Sequence, residues 1–286
     1  MMIEKGSKVG ICVCSNGQQE SNRHKIEALL QTIRHIGYEP VPTDFIYETE
    51  SYFSGTGVER ANALMDLYRD SDIKAIFDIS GGDIANETLS YIDFSVIREN
   101  PKPFFGYSDV TTVINAIYTK TGEVSGLYQI RNLVYEDSKN QIKNFTETFL
   151  LGKESLNDIS YYFIQENFME GIIIGGNIRC FLKLAATEFM PDFEGKILLI
   201  EALNSTSAQI LTYLCQLKQM GAFEKLNGVL LGTFLRLDAE VFVPSVEELV
   251  QRVAGKDIPI ARTVEIGHGA DAKCIYIGKY MKLTKD

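Results

Sequence analysis

Short apolar runs alternate with amphipathic stretches along the first half of the chain, and this alternation restricts the fold more than any other feature. An apolar run at residues 9–14 precedes a helical pattern at residues 22–36, and a Gly-Tyr-Glu-Pro turn then leads into a second apolar run. A strand, a helix and another strand in this order are typical of a parallel sheet. With further strands predicted at residues 74–79 and 103–106, the first half is predicted to be an α/β domain.

The second half repeats the α/β pattern after an irregular polar segment at residues 135–165. Strands and helices alternate again beyond that segment. The predicted strands cover residues 171–174, 196–200 and 229–232, and the predicted helices cover residues 178–186 and 207–220. The sequence therefore predicts two α/β domains, at residues 1–150 and 166–286, of which the second is smaller.

Composition excludes several kinds of partner. The 286 residues carry a formal net charge of -10, so the basic stripe that binds a phosphate backbone is missing and no nucleic-acid partner is expected. A locally positive pocket for a small anionic substrate remains compatible with this charge. Apolar runs are strand-sized, so we expect a soluble protein with no membrane partner. The run at residues 9–14 is too short for a signal-peptide core and is interpreted as the first strand.

The five cysteines form an odd set, and four of them lie in apolar or helical patterns. Buried free thiols of this kind favour a reducing compartment, so a cytoplasmic location is expected. Cys12 and Cys14 are one residue apart on a predicted strand and should point to opposite faces, which would make a poor metal pair. We therefore expect no metal site.

A serine follows the buried strand at residues 103–106. The strand turns at Tyr107-Ser108-Asp109 into a helical pattern, as in the nucleophile elbow of hydrolases. Backbone N–H groups at such a helix start are unpaired and are suited to stabilising an oxyanion. The same residues also form an ordinary helix start with Ser108 or Asp109 as N-cap, and local sequence alone leaves both interpretations open.

A serine nucleophile requires a base, and the chain has only three histidines. His24 and His35 lie on the first amphipathic helix, where a solvated helix face explains them. His268 lies between two glycines in a loop, where catalytic groups concentrate, although a solvated loop histidine fits the same pattern. Glu201 ends an apolar strand and is the preferred partner for this base. A strand-end glutamate facing solvent is the alternative.

Two glycine pairs follow predicted strands. Gly81 and Gly82 allow backbone N–H groups to approach a ligand, so one of them is a candidate oxyanion donor beside the amide of Asp109. The pair at Gly175 and Gly176 lacks the lysine of a phosphate loop, and the first pair lacks the third glycine of a dinucleotide fingerprint. No cofactor is therefore expected, and a tight turn without a ligand is the default interpretation of either pair.

Taken together, these segments resemble the LD-carboxypeptidase family, peptidase family S66, in content and in order. The segments that carry the resemblance are Gly81-Gly82, the Pro-Lys-Pro-Phe-Phe-Gly-Tyr-Ser-Asp run at residues 101–109, Gly175-Gly176-Asn177, residues 197–201 and Gly267-His268-Gly269.

The resemblance implies a Ser-Glu-His triad, which here corresponds to Ser108, Glu201 and His268. It also implies an oxyanion hole from the backbone amides of Gly82 and Asp109. Members of the family have a flavodoxin-like or Rossmann-like N-terminal layer and a smaller C-terminal domain, and they commonly form homodimers. They require neither a cofactor nor a metal.

The resemblance implies a small peptide or peptide-like substrate. The best-known activity releases the terminal D-alanine from murein tetrapeptides during cell-wall recycling, and a sister branch, the microcin C immunity proteins, cleaves aminoacyl-adenylate analogues. Ser80 stands where many carboxypeptidase members have arginine, which favours the microcin branch, whereas the strand end at residues 231–234 favours the carboxypeptidases. Tyr128 and Gln129 stand where relatives often carry a His-Gly-Pro run, so an altered pocket wall is expected. Ala202 stands where many carboxypeptidase members have aspartate after the catalytic glutamate. The loss of this aspartate and of the arginine at Ser80 leaves a silent ligand-binding relative as the third interpretation.

Overall fold

Two six-stranded sheets form the framework of the protein. The structure is a computed structural model and describes residues 2–239 and 243–285. The strands within these residues are β1 (Lys8–Cys12), β2 (Glu39–Pro42), β3 (Ile73–Asp78), β4 (Phe104–Gly106), β5 (Ser125–Leu127), β6 (Tyr162–Gln165), β7 (Phe168–Asn177), β8 (Lys196–Ala202), β9 (Gly228–Phe234), β10 (Ile260–Arg262), β11 (Ile275–Ile277) and β12 (Tyr280–Thr284).

Each sheet has a parallel centre and antiparallel strands only at its edges. The first sheet has the order β11-β5-β4-β3-β1-β2, in which only β11 is antiparallel to its neighbour. The second has the order β12-β7-β8-β9-β10-β6, with β12 and β6 antiparallel. We call each sheet with its helices a unit. The prediction of an α/β fold with parallel sheets is confirmed.

Local sequence determines where the helices begin and end. The α-helices of the described chain are α1 (Arg23–Ile36), α2 (Gly57–Arg69), α3 (Ala85–Leu89), α4 (Phe94–Glu99), α5 (Thr111–Thr121), α6 (Ser138–Phe145), α7 (Ile178–Phe181), α8 (Ser207–Gln219), α9 (Leu235–Asp238) and α10 (Val246–Ala254). Helix α1 buries Ile26, Leu29 and Ile33 at helical spacing and ends at Gly37, whose φ of 115° suits a residue without Cβ. None of the described helices is long and apolar enough to span a membrane.

The two units share one hydrophobic core, because α5 of the first unit packs on β7 of the second. At this contact the Asn115 side chain donates to the Gly175 carbonyl at 2.8 Å and accepts from the Gly175 N–H at 2.9 Å. Thr111 Oγ1 accepts a further bond from the Asn177 N–H at 3.1 Å. These buried bonds fix the start of α7 relative to the segment that carries Ser108.

One strand links the units in an unexpected way. Strand β11 lies within residues 166–286 but pairs with β5 of the first sheet, Ile275 opposite Leu127. The chain then returns to the second sheet as β12, which pairs with β7. The division into residues 1–150 and 166–286 stays a prediction, and we propose it with this strand exchanged across the boundary.

The expectation that Cys12 and Cys14 point to opposite faces is wrong. Their sulfur atoms and a carboxylate oxygen of Asp78 all lie within 4.8 Å of one another. Alternation fails because β1 ends at Cys12, so Cys14 no longer follows the strand. Asp78 accepts from the Cys14 N–H at 2.6 Å and from the Ser80 N–H at 2.6 Å. The cluster therefore ties the loops after β1 and β3 together.

Burial controls the reactivity of the thiols. Cys12, Cys14, Cys180 and Cys274 are buried, whereas Cys215 is partly exposed, and all five are free. Burial raises the pKa of Cys12, Cys180 and Cys274, so at about pH 8 their thiolate fractions are lower than in an unfolded chain.

We therefore expect one thiol, Cys215, to react rapidly with a disulfide reagent in the native protein and all five to react in denaturant. Counting released thiolate by absorbance tests this. The matched control is Cys215→Ser, which should have no rapidly reacting thiol. Two or more rapid thiols in the native wild type would contradict the buried assignment.

Candidate active site

The carboxyl ends of strands from both sheets meet at one cleft. Ser108 follows β4, the Gly81-Gly82 turn follows β3, and Glu201 is the penultimate residue of β8. Parallel strands bring such residues to one edge, which is where sites form in α/β folds. The cleft has a volume of about 250 Å³. Its lining residues are Asp83, Ser108, Asn177, Arg179, Leu203, Asn204, Ser205, Gln209 and Tyr213.

Ser108 occupies a strained backbone position. Its φ is 54°, in the left-handed region that residues with a Cβ rarely adopt. Strand β4 ends two residues earlier at Gly106, where an added Cβ would lie 2.5 Å from Val110 Cγ1. The sharp turn from strand to helix is therefore possible only because Gly106 has no side chain. A serine at such a turn is typical of a nucleophile elbow.

His268 and Glu201 form a buried pair. His268 Nδ1 lies 2.6 Å from Glu201 Oε2, and the two side chains are 3% and 2% exposed. Since a carboxylate only accepts, Nδ1 carries the proton when Glu201 is ionised, and the Nε2 lone pair is free. Nε2 is buried and has no hydrogen-bond partner among the described residues. A buried imidazole nitrogen without a partner is available to a substrate or a neighbouring hydroxyl.

The loop that carries His268 is held from both units. The Thr233 N–H donates to the Ile266 carbonyl at 2.8 Å, and Asn132 Nδ2 donates to the Gly269 carbonyl at 3.3 Å. Gly267 has a φ of 143°, and an added Cβ would lie 2.0 Å from Thr233 Oγ1. Glycine is therefore required for the histidine loop to approach the end of β9 this closely.

Tyr107 connects the serine turn to the histidine loop. Its ring packs against the His268 ring with centroids 4.9 Å apart. Arg131 donates to the Tyr107 hydroxyl at 3.1 Å and to Gln18 Oε1 at 3.0 Å, which fixes the ring from the other side. The residue next to Ser108 therefore touches the imidazole that Glu201 orients. Neither Tyr107 nor Arg131 was predicted to belong to the site, and the one signal in the sequence was the position of Tyr107 beside the candidate serine.

The Gly81-Gly82 turn presents a backbone amide near Ser108. A Cβ built on Gly81 would lie 3.8 Å from Ser108 Oγ, so the turn and the serine are neighbours. The Asn16 N–H donates to the Gly81 carbonyl at 3.2 Å. Because N–H and C=O point in opposite directions in a trans peptide, this bond turns the Gly82 N–H away from Asn16. Neither the Gly82 nor the Asp109 amide has an acceptor among the described residues.

Asp109 does not cap the helix that follows it, and neither does Ser108, which departs from the capping alternative. The Asp109 carboxylate instead accepts from Ser15 Oγ at 2.7 Å and from the Ala85 N–H at 2.8 Å, and its other oxygen pairs with Lys183 Nζ. The side chain is fully buried. Asp109 thus joins the loops after β1, β3 and β4 to the second unit.

The four departures from the family pattern are not among the residues that line the cleft. Ser80, Ala202, Tyr128 and Gln129 are all buried. Ser80 Oγ donates to Asp78 Oδ1 at 2.5 Å, and the Tyr128 hydroxyl donates to Gln141 Oε1 at 3.0 Å. The expectation that Tyr128 alters the pocket wall is therefore not met among the described residues, because its side chain belongs to the core of the first unit.

Fold and site together define a two-sheet α/β protein with a strained serine at a cleft and a buried Glu-His pair whose imidazole packs against the neighbouring Tyr107. The chain belongs to the LD-carboxypeptidase family, peptidase family S66: the N-terminal domain of the family matches residues 9–129 and its C-terminal domain matches residues 170–283. The resemblance seen in the sequence motifs is confirmed. Membership supports hydrolase activity.

Relatives come from both branches of the family. The probable murein peptide carboxypeptidase of Bacillus subtilis (strain 168) is 27% identical over 96% of this chain and 88% of its own length. The microcin C7 self-immunity protein MccF of Escherichia coli is 26% identical over 92% and 86%. The solved structure of MccF in complex with aspartyl sulfamoyl adenosine matches with a TM-score of 0.85 at 22% identity, over 100% of this chain and 99% of that one. At this identity the structural match supports the fold alone.

Proposed function

We propose that the protein is a serine-type LD-carboxypeptidase that releases the terminal D-alanine from murein tetrapeptides. The observation that carries this proposal is the buried contact of 2.6 Å between His268 Nδ1 and Glu201 Oε2, which leaves Nε2 without a partner in a ring that packs against Tyr107 of the serine turn. Ser108 is the nucleophile, His268 the base and Glu201 the orienting carboxylate.

The proposed reaction is acyl transfer through a covalent intermediate. Ser108 Oγ attacks the carbonyl carbon of the L-to-D peptide bond while His268 Nε2 takes the hydroxyl proton. The Gly82 and Asp109 amides donate to the oxyanion, and the ionised Glu201 stabilises the imidazolium. His268 then gives its proton to the departing D-alanine nitrogen, and water hydrolyses the ester by the same path in reverse order. Every proton transfer is assigned to a side chain or to water.

A second candidate is a microcin-type amidase acting on aminoacyl-adenylate analogues. Two observations favour it: Ser80 replaces the arginine that many carboxypeptidases carry, and MccF is nearly as similar to this chain as the B. subtilis carboxypeptidase. Ser80 is buried next to the glycine turn, so its replacement of arginine affects the conformation of the turn rather than a direct contact with the substrate. The core chemistry proposed for Ser108 is the same in both candidates.

A paired assay separates the candidates. Purified protein is given a murein tetrapeptide in one reaction and an aminoacyl sulfamoyl adenosine in the other, and D-alanine release and amide cleavage are measured. We expect kcat/KM for the tetrapeptide to exceed that for the nucleoside by about tenfold or more. The reverse ratio would favour the microcin-type amidase. Tight binding of either compound without turnover would favour the silent ligand-binding relative.

We also propose that the protein acts in the cytoplasm as a homodimer, without nucleic-acid or membrane partners. Five free cysteines, four of them buried, fit a reducing compartment. The proposal of a homodimer rests on the family resemblance, which implies that members commonly form homodimers.

A further inference from the structure

Two cations of the second unit hold the glycine turn of the first. Arg179 lies in α7 and donates from Nη2 to the Gly82 carbonyl at 3.1 Å, while its Nη1 pairs with the Asp83 carboxylate. Lys183, one helical turn later, donates from Nζ to the Asp83 carbonyl at 2.8 Å and pairs with Asp109. The spacing of four residues places both side chains on the same face of this short helical segment.

These contacts lie on Gly82 and Asp109, whose amides the proposed function assigns to the oxyanion, and on Asp83 beside Gly82. Arg179 holds the Gly82 carbonyl and the Asp83 side chain, and Lys183 Nζ joins the Asp83 carbonyl directly to the Asp109 carboxylate. Gly82 has a φ of 125°, and glycine imposes no steric barrier of its own against reorientation of the peptide. The hydrogen bond from Arg179 to the Gly82 carbonyl restrains the Gly82–Asp83 peptide. It thereby limits, through the Gly82 Cα, rotation of the adjoining peptide that carries the Gly82 N–H.

The segment that carries the cations is itself anchored. Asn177 Oδ1 accepts from the Cys180 N–H at 3.3 Å at the start of α7, and the Asn177 N–H is bonded to Thr111 of α5. Helix α5 is the helix that the Ser108 turn leads into. The position of Arg179 and Lys183 relative to the serine is thus fixed by the contact between the two units.

We propose that Arg179 and Lys183 are positioning residues that preorganise the oxyanion hole, so that the hole of the first unit is complete only when α7 of the second unit is docked. This inference rests on the proposed function. Preorganised donors stabilise the transition state without reorganisation during the reaction, so loosening one of them lowers kcat more than it raises KM.

The test is a kinetic comparison of wild type with Arg179→Ala on the preferred substrate of the paired assay. Losing one oxyanion donor outright costs about 10²- to 10³-fold in kcat, so weakened support should cost about 10- to 100-fold, with KM changed by less than about threefold. Arg179→Lys should restore part of kcat. Arg69→Ala, which removes an exposed pair with Asp66, is the matched control and should retain wild-type kinetics.

The affinity of a transition-state mimic is a second measurement, and it should not change if Arg179 has only a structural role. A murein tripeptide aldehyde forms a tetrahedral adduct with the serine and places an oxygen in the hole. Its affinity should fall in Arg179→Ala by the same factor as kcat, while the affinity of the tripeptide product should stay within about threefold.

Lys183→Met is the second variant, and its folding is checked by circular dichroism because it leaves the Asp109 carboxylate with one partner fewer.

Three outcomes distinguish the ideas. Unchanged kcat in Arg179→Ala overturns the positioning role, and so does a loss confined to KM, which would make Arg179 a substrate contact. A wild type that turns over neither substrate and forms no aldehyde adduct overturns the proposed function itself. If Lys183→Met does not fold, the kinetics of Arg179→Ala and Arg179→Lys alone decide whether the positioning role holds.

Discussion

Replacing Ser108 with alanine is expected to lower kcat by about 10⁴-fold or more on the preferred substrate, because no other group in the proposed mechanism forms the acyl-enzyme. The fold should persist, because serine and alanine have a similar conformational free energy at a φ of 54°. Steady-state kinetics measures the loss, and a fluorophosphonate probe should label the wild type but not Ser108→Ala.

Ser51→Ala is a matched control for the backbone effect. Ser51 also lies in the left-handed region, with a φ of 52°, but it is exposed and lies outside the cleft. Its replacement should leave both kcat and probe labelling unchanged. Retention of wild-type turnover by folded Ser108→Ala would remove Ser108 from the mechanism.

The second large effect is expected for Glu201→Gln, with a fall in kcat of about 10⁴-fold. Glutamine has nearly the same shape, but it lacks the negative charge that stabilises the imidazolium. Its amide group can also donate to Nδ1, which would move the ring proton to Nε2 and remove the base. Because Glu201 is buried, the variant should be checked by thermal unfolding before its kinetics are interpreted.

Glu170→Gln is the comparison variant for Glu201. Glu170 also lies on a strand of the second sheet, but toward the amino end of β7, where it is partly exposed and its Oε2 lies 3.9 Å from Lys282 Nζ. Its replacement should leave kcat within about twofold of wild type. If folded Glu201→Gln kept more than about one tenth of the wild-type kcat, the orienting role of Glu201 would have to be abandoned.

Sequence patterns identified the longer elements of the parallel sheets because their signals are local. The spacing of Ile26, Leu29 and Ile33 predicted α1, and the apolar run before Glu201 predicted β8. Strands β10 and β11 were missed, since three residues are too few to display a period. Strand β4 is equally short and was predicted because of the strand-to-helix turn that follows it. The placement of β11 in the first sheet depends on pairing with Leu127, almost 150 positions earlier in the numbering.

Some residues of the candidate site could also be predicted from local sequence, and others could not. Ser108 was predicted from the strand-to-helix turn, and His268 from its glycine neighbours, but Tyr107 was not assigned a role. Nothing in the local sequence indicates that its ring packs on His268 or that Arg131 holds its hydroxyl. Such contacts join residues whose spacing in sequence has no fixed relation to their distance in space.

The sequence by itself determined which chemical groups stand at the ends of the strands, because strand length and turn chemistry are encoded over a few neighbouring residues. Only the tertiary structure decided which of these groups meet. His268 reaches Glu201 across 67 positions, and Arg179 reaches Gly82 across 97. These contacts arise from the packing of two sheets against one another, and that packing is set by the whole core rather than by any segment.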